Sequence, residues 1–225
     1  MTPITCLLPF ASADGPHNMA TDEVMLESAT AGLASMRFYR WSVPTLSLGY
    51  FQRASDRMAD ERHASLPWVR RATGGGAIVH GGDLTYAIAL PKAWARTHSP
   101  ADWHCRIHRA FAEVLSNQQI AAEVAGGARQ ASTPFDCFAL PQPGDVVWGN
   151  KKIIGGAQRL RAGNLLQHGS LQGPAAGLSP VPLGRELANA LGWETVENEW
   201  TQEEWNRIRD LAVYKYGLDS WNSKR

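Results

Sequence analysis

Arg70-Arg71-Ala72-Thr73-Gly74-Gly75-Gly76-Ala77-Ile78-Val79-His80 is the most telling segment of this 225-residue chain. Later, Lys152-Ile153-Ile154-Gly155-Gly156-Ala157-Gln158 leads into Gln167-His168-Gly169-Ser170. Each block joins glycines, which let backbone approach a ligand closely, to β-branched residues suited to strands and to a cation suited to an anion or carbonyl oxygen. Together they read as a site for an activated carboxylic acid. The first block is not a P-loop, because Gly-x-x-x-x-Gly-Lys-Ser/Thr is absent.

Around these blocks the pattern is one of segregated strands and helices. Strands are expected at 4–9, 36–41 and 45–49, the last two forming a hairpin or a strand-turn-strand unit about Ser42-Val43-Pro44. Further short strands read at 68–71, 77–80, 84–90, 145–148, 152–158 and 165–171. Residues 18–31 read as a helix capped by Asn18 or Thr21, and 53–64 as a polar helix. Ser99-Pro100 opens the clearest helix, with Trp103, Ile107, Phe111, Val114 and Leu115 at helical spacing, and it should lie across a sheet. A loop is expected at 126–136. Helices close the chain near 183–190 and 201–217, the latter with a capping box at Thr201 and Glu204. The fold class is α+β, with helices packed on a mostly antiparallel sheet.

Composition narrows the classes of function. Lys plus Arg total 22 against 21 Asp plus Glu, so no global field points to a nucleic acid or an anionic membrane. The three cysteines, Cys6, Cys105 and Cys137, are odd in number and lack paired spacing, which fits a reducing compartment. No apolar stretch reaches membrane length and the first ten residues lack a basic lead, so a cytoplasmic protein is expected. No linker splits the chain, and residues 1–225 read as a single domain.

Individual side chains carry chemistry to different degrees. Lys151 and Lys152 point to opposite faces of a regular strand, so one faces inward, where beside Gly155, Gly156 and Ala157 it could stabilise developing negative charge. Cys137, in Asp136-Cys137-Phe138 after a loop, is a possible nucleophile whose thiolate needs a nearby cation. His168 is a possible base or a structural residue. His104 and His108 stand at i and i+4 beside Cys105, but on what reads as the polar face of their helix and without a second ligand cluster, so no metal site is expected. Gly75 and Gly76 should lie against the ligand, so that a side chain there blocks binding without unfolding the domain.

Arg71-Ala72-Thr73-Gly74-Gly75-Gly76-Ala77 and Lys152-x-x-Gly155-Gly156-Ala157 resemble the two signatures of the lipoate-protein ligase, octanoyltransferase and biotin-ligase superfamily. With 37–41, 44–52, Asp83-Leu84-Thr85-Tyr86 and Leu166-Gln167-His168-Gly169-Ser170, the likeness is closest to the LipM-type octanoyltransferases. Gly76 is the more ligase-like feature of the array, where the transferase branch carries an arginine. The resemblance implies a class II synthetase-like catalytic domain without a C-terminal accessory domain. It implies that Cys137 accepts an octanoyl group from octanoyl-acyl carrier protein, and that a lysine of a lipoyl domain or of a glycine-cleavage H-type protein then takes it. Lys152 would stabilise the oxyanion. Gly74, Gly75 and Gly76 with Gly155, Gly156 and Ala157 would wall the acyl tunnel, Ala77 would belong to the same binding strand, and Arg71 and His80 would contact the polar end. His168 would orient groups or move a proton. No cofactor is implied for the transferase. The rival is a lipoate-protein ligase using ATP and Mg, with Cys137 a bystander; a non-catalytic binding protein is the remaining alternative.

Overall fold

The computed structural model describes residues 2–29, 32–128 and 135–225. In chain order it runs β1 (Ile4–Leu7), β2 (Ala11–Ala13), α1 (Gly15–Ser28), β3 (Ala34–Trp41), β4 (Thr45–Leu48), α2 (Glu61–Ala64), β5 (Trp68–Arg70), β6 (Ile78–His80), β7 (Leu84–Leu90), α3 (Lys92–Ala95) and α4 (Pro100–Asn117). It continues through β8 (Ala122–Val124), β9 (Val146–Trp148), β10 (Lys151–Arg161), β11 (Asn164–Leu171), α5 (Pro180–Ala190), β12 (Glu194–Glu197), α6 (Gln202–Leu211) and α7 (Asp219–Asn222). The fold is α+β. A large sheet has the order β12-β1-β3-β7-β11-β10-β9-β8, with β2 paired to β3, and a small sheet has the order β5-β4-β6. From β3 to β8 every neighbouring pair along the large sheet is antiparallel, whereas β1 lies parallel to both β3 and β12.

Helices cover both faces of the large sheet, which explains the continuous apolar run of β7. Leu84, Tyr86, Ile88 and Leu90 pack with Trp103, Ile107 and Phe111 of α4 and Leu183 and Leu187 of α5. Ala87 and Ala89 face the other way, against Met19, Val24 and Met25 of α1 and Ile208 and Leu211 of α6. Alternation of side chains then sends two apolar sets from one strand to two cores.

Several expected elements change. The hairpin reading of 36–49 fails: β3 pairs with β1, β2 and β7, while β4 joins the small sheet. Pro44 lies between them, and the chain crosses from one sheet to the other. Helix α1 starts earlier than expected, because Asp14 rather than Asn18 or Thr21 caps it, accepting from the His17 amide, with Pro16 in the first turn. The expected polar helix divides into a 3-10 segment, Ala54–Ala59, and α2, separated by Asp60, which caps α2 through the Arg62 amide. Strands β2, β8 and β12 are too short or too exposed to carry a period. The last two residues of the helix expected at 18–31, and 129–134 of the expected loop, lie outside the described residues.

Candidate active site

Between β5 and β6 the chain crosses the sheet through the glycine segment, held there by Arg71. This side chain is buried; its guanidinium donates to the Ser47 carbonyl (2.8 Å) and hydroxyl (2.6 Å) and to the carbonyls of Gly74 (3.0 Å) and Gly76 (2.8 Å). Burial brings its pKa down to about 10. Arg70 directs Nε and Nη1 at backbone carbonyls, those of Gly49, Tyr50, Gln52 and Asn222. The resemblance implied that Arg71 contacts the polar end of a ligand; the structure turns its guanidinium toward the protein's own backbone, although Arg71 still lines a cleft.

The glycines then bring the cysteine into place. Gly75 has φ +88°, a left-handed conformation that favours glycine. A Cβ on Gly76 would meet the Cys137 amide nitrogen and the Phe135 carbonyl oxygen, each at 3.0 Å. Just beyond, the Ala77 amide donates to the Phe135 carbonyl (2.7 Å) and the Cys137 amide to the Ala77 carbonyl (2.8 Å). Cys137 is therefore hydrogen-bonded onto the end of the glycine segment, although 60 residues separate it from Ala77. The expectation that either glycine could take a side chain without structural cost is corrected: Gly75 is constrained by its backbone, Gly76 by its neighbour.

Lys152 approaches from the other side. It is 9% exposed whereas Lys151 is exposed, so Lys152 is the inward lysine of β10. The pairing of β10 with β9 slips between Lys152 and Ile154, and the lysine stem lies over Gly155, where a Cβ would come within 2.4 Å of Cε. Gly155 thus makes room for the lysine itself. On Gly156 a Cβ would meet the Tyr86 hydroxyl at 2.8 Å and His108 Nε2 at 3.0 Å. Lys152 Nζ donates to the Cys137 carbonyl (2.9 Å), lies 3.3 Å from its Sγ, and pairs with Asp145 Oδ2 at 2.8 Å. Asp145, which sequence reasoning did not single out, is fixed in turn by the Gln142 amide (2.7 Å). Its only signal in the sequence was a position just before β9.

The two histidines are buried and doubly bonded. His168 Nδ1 donates to Asp22 (2.7 Å) and Nε2 accepts from the Thr73 hydroxyl (2.5 Å). Burial alone would raise the Asp22 pKa, but Arg37 beside it and the His168 hydrogen bond outweigh that and hold it below the ordinary carboxylate range. His80 stacks on Trp41 with ring centroids 3.9 Å apart, donates from Nδ1 to Asp83 (2.7 Å) and accepts at Nε2 from Ser47 (2.8 Å). Burial lowers its pKa despite Asp83.

Two clefts meet at Cys137, Gly75, Gly156 and Ala157. One runs inward past Ile78, Trp41, Tyr39 and Met19, with His80 and His168 in its walls. The other is a wider groove lined by Gly74, Gly76, His104, Leu140, Asp145, Lys152 and Gln158. Of the residues read from sequence, Cys137, Lys152, Gly74–Gly76 and Gly155–Ala157 come together, while Ala77 belongs to the pairing behind the cysteine. A thiol, a buried ammonium and an inward apolar cleft form an arrangement suited to acyl transfer.

Residues 14–173 match the family of the lipoyl protein ligase A/B catalytic domain. The chain is 35% identical over 168 residues to the octanoyltransferase LipM of Carboxydothermus hydrogenoformans, covering 71% of this chain and 61% of that one. It is 34% identical over 178 residues to the octanoyltransferase LipM of Moorella thermoacetica, covering 73% and 63%. It thus spans about three-fifths of the length of these relatives. A solved structure described as a lipoate protein ligase from T. acidophilum with bound lipoic acid shares its fold, with a TM-score of 0.78, 22% identity and 100% of both chains covered.

Proposed function

From the premise that the chain belongs to the lipoyl protein ligase A/B catalytic domain family, we propose that it is an octanoyltransferase of protein lipoylation acting through an acyl-enzyme on Cys137. The observation that carries the reading is the contact of Lys152 Nζ with Cys137 Sγ, 3.3 Å, at the junction of the two clefts. The LipM relatives support the choice of acyl group. Residues 1–225 are taken as one catalytic domain working in the cytoplasm; among the described residues no helix is long and apolar enough to cross a membrane.

In the first step Sγ attacks the thioester carbon of octanoyl-acyl carrier protein, and the octanoyl chain occupies the inward cleft between Met19, Tyr39, Trp41 and Ile78. At rest Lys152 directs its donors at the Cys137 carbonyl, Sγ and Asp145. As the sulfur lone pair enters the new C–S bond, the donor facing it turns to the oxyanion, a form of electrostatic stabilisation that requires no new charge. The C–S bond to the carrier breaks, and the carrier sulfur takes up the proton that Cys137 gave up on attack. In the second step the neutral amine of an acceptor lysine, on a lipoyl domain or an H-type protein, enters by the open groove and attacks the acyl-enzyme; the amide forms, the C–S bond breaks, and one amine proton passes to the departing Cys137 sulfur. Two easier displacements replace one difficult one. Arg71, His80 and His168, with their nitrogens committed inside the protein, position the glycine segment. No ATP or magnesium takes part.

The test is transfer from octanoyl-acyl carrier protein to a lipoyl domain with and without ATP and magnesium. Transfer without nucleotide is expected. Modification that requires lipoate, ATP and magnesium and survives Cys137→Ala would replace this reading with the ligase.

A further inference from the structure

The groove beside the lysine and cysteine holds two imidazoles that the acyl-transfer reading does not use, next to the carboxylate that anchors Lys152. His104 and His108 of α4, whose ring centroids are 4.1 Å apart, come together with Asp145, and one ligand atom from each lies within 4.8 Å of the other two. The sequence placed both imidazoles on the polar face of α4 without a further ligand. The structure corrects both points: His108 is fully buried, and the chain returns 37 residues after it to supply the carboxylate.

We propose that His104, His108 and Asp145 bind a divalent transition metal of the zinc class, and that its occupancy opposes acylation of Cys137. Two imidazoles and a carboxylate suit zinc or cobalt rather than magnesium or calcium, which prefer oxygen donors. His108 is oriented as a ligand should be: its Nδ1 donates to the Gly144 carbonyl at 2.5 Å, leaving Nε2 as the lone pair. At rest Nε2 accepts from the Tyr86 hydroxyl at 3.0 Å, a bond the metal displaces. Among the described residues Asp145 Oδ1 accepts no hydrogen bond, since Gln142 and Lys152 both use Oδ2. Entry is through the groove, where His104 is partly exposed, and the fourth position is left to water.

The coupling follows from charge. Asp145 neutralises Lys152 at rest, and a divalent cation on the same carboxylate repels the ammonium that Cys137 needs. The inhibitory half rests on the acyl-enzyme reading; the binding half does not.

Cobalt(II) titration of the chelator-treated full chain separates the two. The wild type should bind one equivalent with visible d–d bands and no sulfur charge-transfer band. Cys137→Ala should bind as well, and His104→Ala at least about tenfold more weakly. A sulfur band lost in Cys137→Ala, or binding unchanged in His104→Ala, overturns the site. In the second arm, zinc should slow acyl-enzyme formation by at least about tenfold in the wild type and not in His104→Ala. Zinc that occupies the site and leaves the wild-type rate unchanged overturns the coupling.

Discussion

Two buried polar clusters flank the glycine segment, and they differ in what they leave unspent. Around His168 the charged and polar side chains pair with one another: Asp22 receives Arg37, Tyr39 and His168, and His168 receives Thr73. Around Lys152, the ammonium is anchored to Asp145 and to a backbone carbonyl, yet its third contact is a thiol that opens onto both clefts. A saturated cluster braces the backbone, because breaking it exposes uncompensated charge. A cluster with one weakly held donor beside a nucleophile can redirect that donor when charge develops. His168, which the sequence left as a possible base or a structural residue, sits in the cluster whose polar atoms are paired with one another.

The sharpest way to break this contrast is to remove one member of each cluster. Lys152→Ala should cost on the order of a hundredfold or more in the rate of acyl-enzyme formation per folded molecule, and some stability because Asp145 loses its buried partner, whereas Lys151→Ala changes little; stopped acylation with mass readout checks the rates. If Lys151→Ala is inactive and Lys152→Ala near normal, the inward assignment of Lys152 is wrong. Asp22→Ala should act on stability with little effect on that rate. It leaves Arg37 buried without its partner, and a loss of about 3–5 kcal/mol is expected in denaturant titration. The rate per folded molecule should fall far less than in Lys152→Ala.

The glycines sharpen the contrast at smaller cost. Gly76→Val pushes on the backbone of Cys137, so acylation should fall more than stability. Gly75→Ala has room for its methyl, 3.5 Å from Arg71 and 3.6 Å from Ala157, but must adopt φ +88°, so stability should fall by about 1–3 kcal/mol. Thermal melts and acylation rates on the same samples separate the two. The smallest effect is that of pH. His80 has its pKa lowered by burial, so between its folded value and about 6.5 the unfolded chain binds the extra proton. Stability is therefore full above about pH 6.5 and declines as pH falls below it. His80→Gln should flatten that slope in denaturant midpoints measured from pH 7.5 to 5.5.

The elements that carry the site were legible because their residues repeat with a period or punctuate it. The apolar run 84–90, the Ser99-Pro100 start and the Thr201 capping box each have a local cause. What the sequence hid is non-local. Pairing of β1 with β12 depends on chain ends about 190 residues apart, and the division of 36–49 between two sheets depends on which neighbours those strands find. Cys137 and Lys152 were singled out through the resemblance to family motifs. Asp145 was not, because a single carboxylate near a strand start has no signal until the fold puts it 2.8 Å from a buried lysine. Arg71 shows the opposite error: a cation beside glycines suggests an anion, but within 5 residues its own chain offers the carbonyls of Gly74 and Gly76.

The central claim is that Cys137 carries the acyl group. Intact-protein mass spectrometry after brief incubation with octanoyl-acyl carrier protein, without acceptor or nucleotide, tests it directly. The account predicts one octanoyl adduct, removed by hydroxylamine, mapped to Cys137 and absent from Cys137→Ala. An unmodified wild-type protein that nevertheless transfers octanoate to a lipoyl domain, or an adduct that persists in Cys137→Ala, would contradict it.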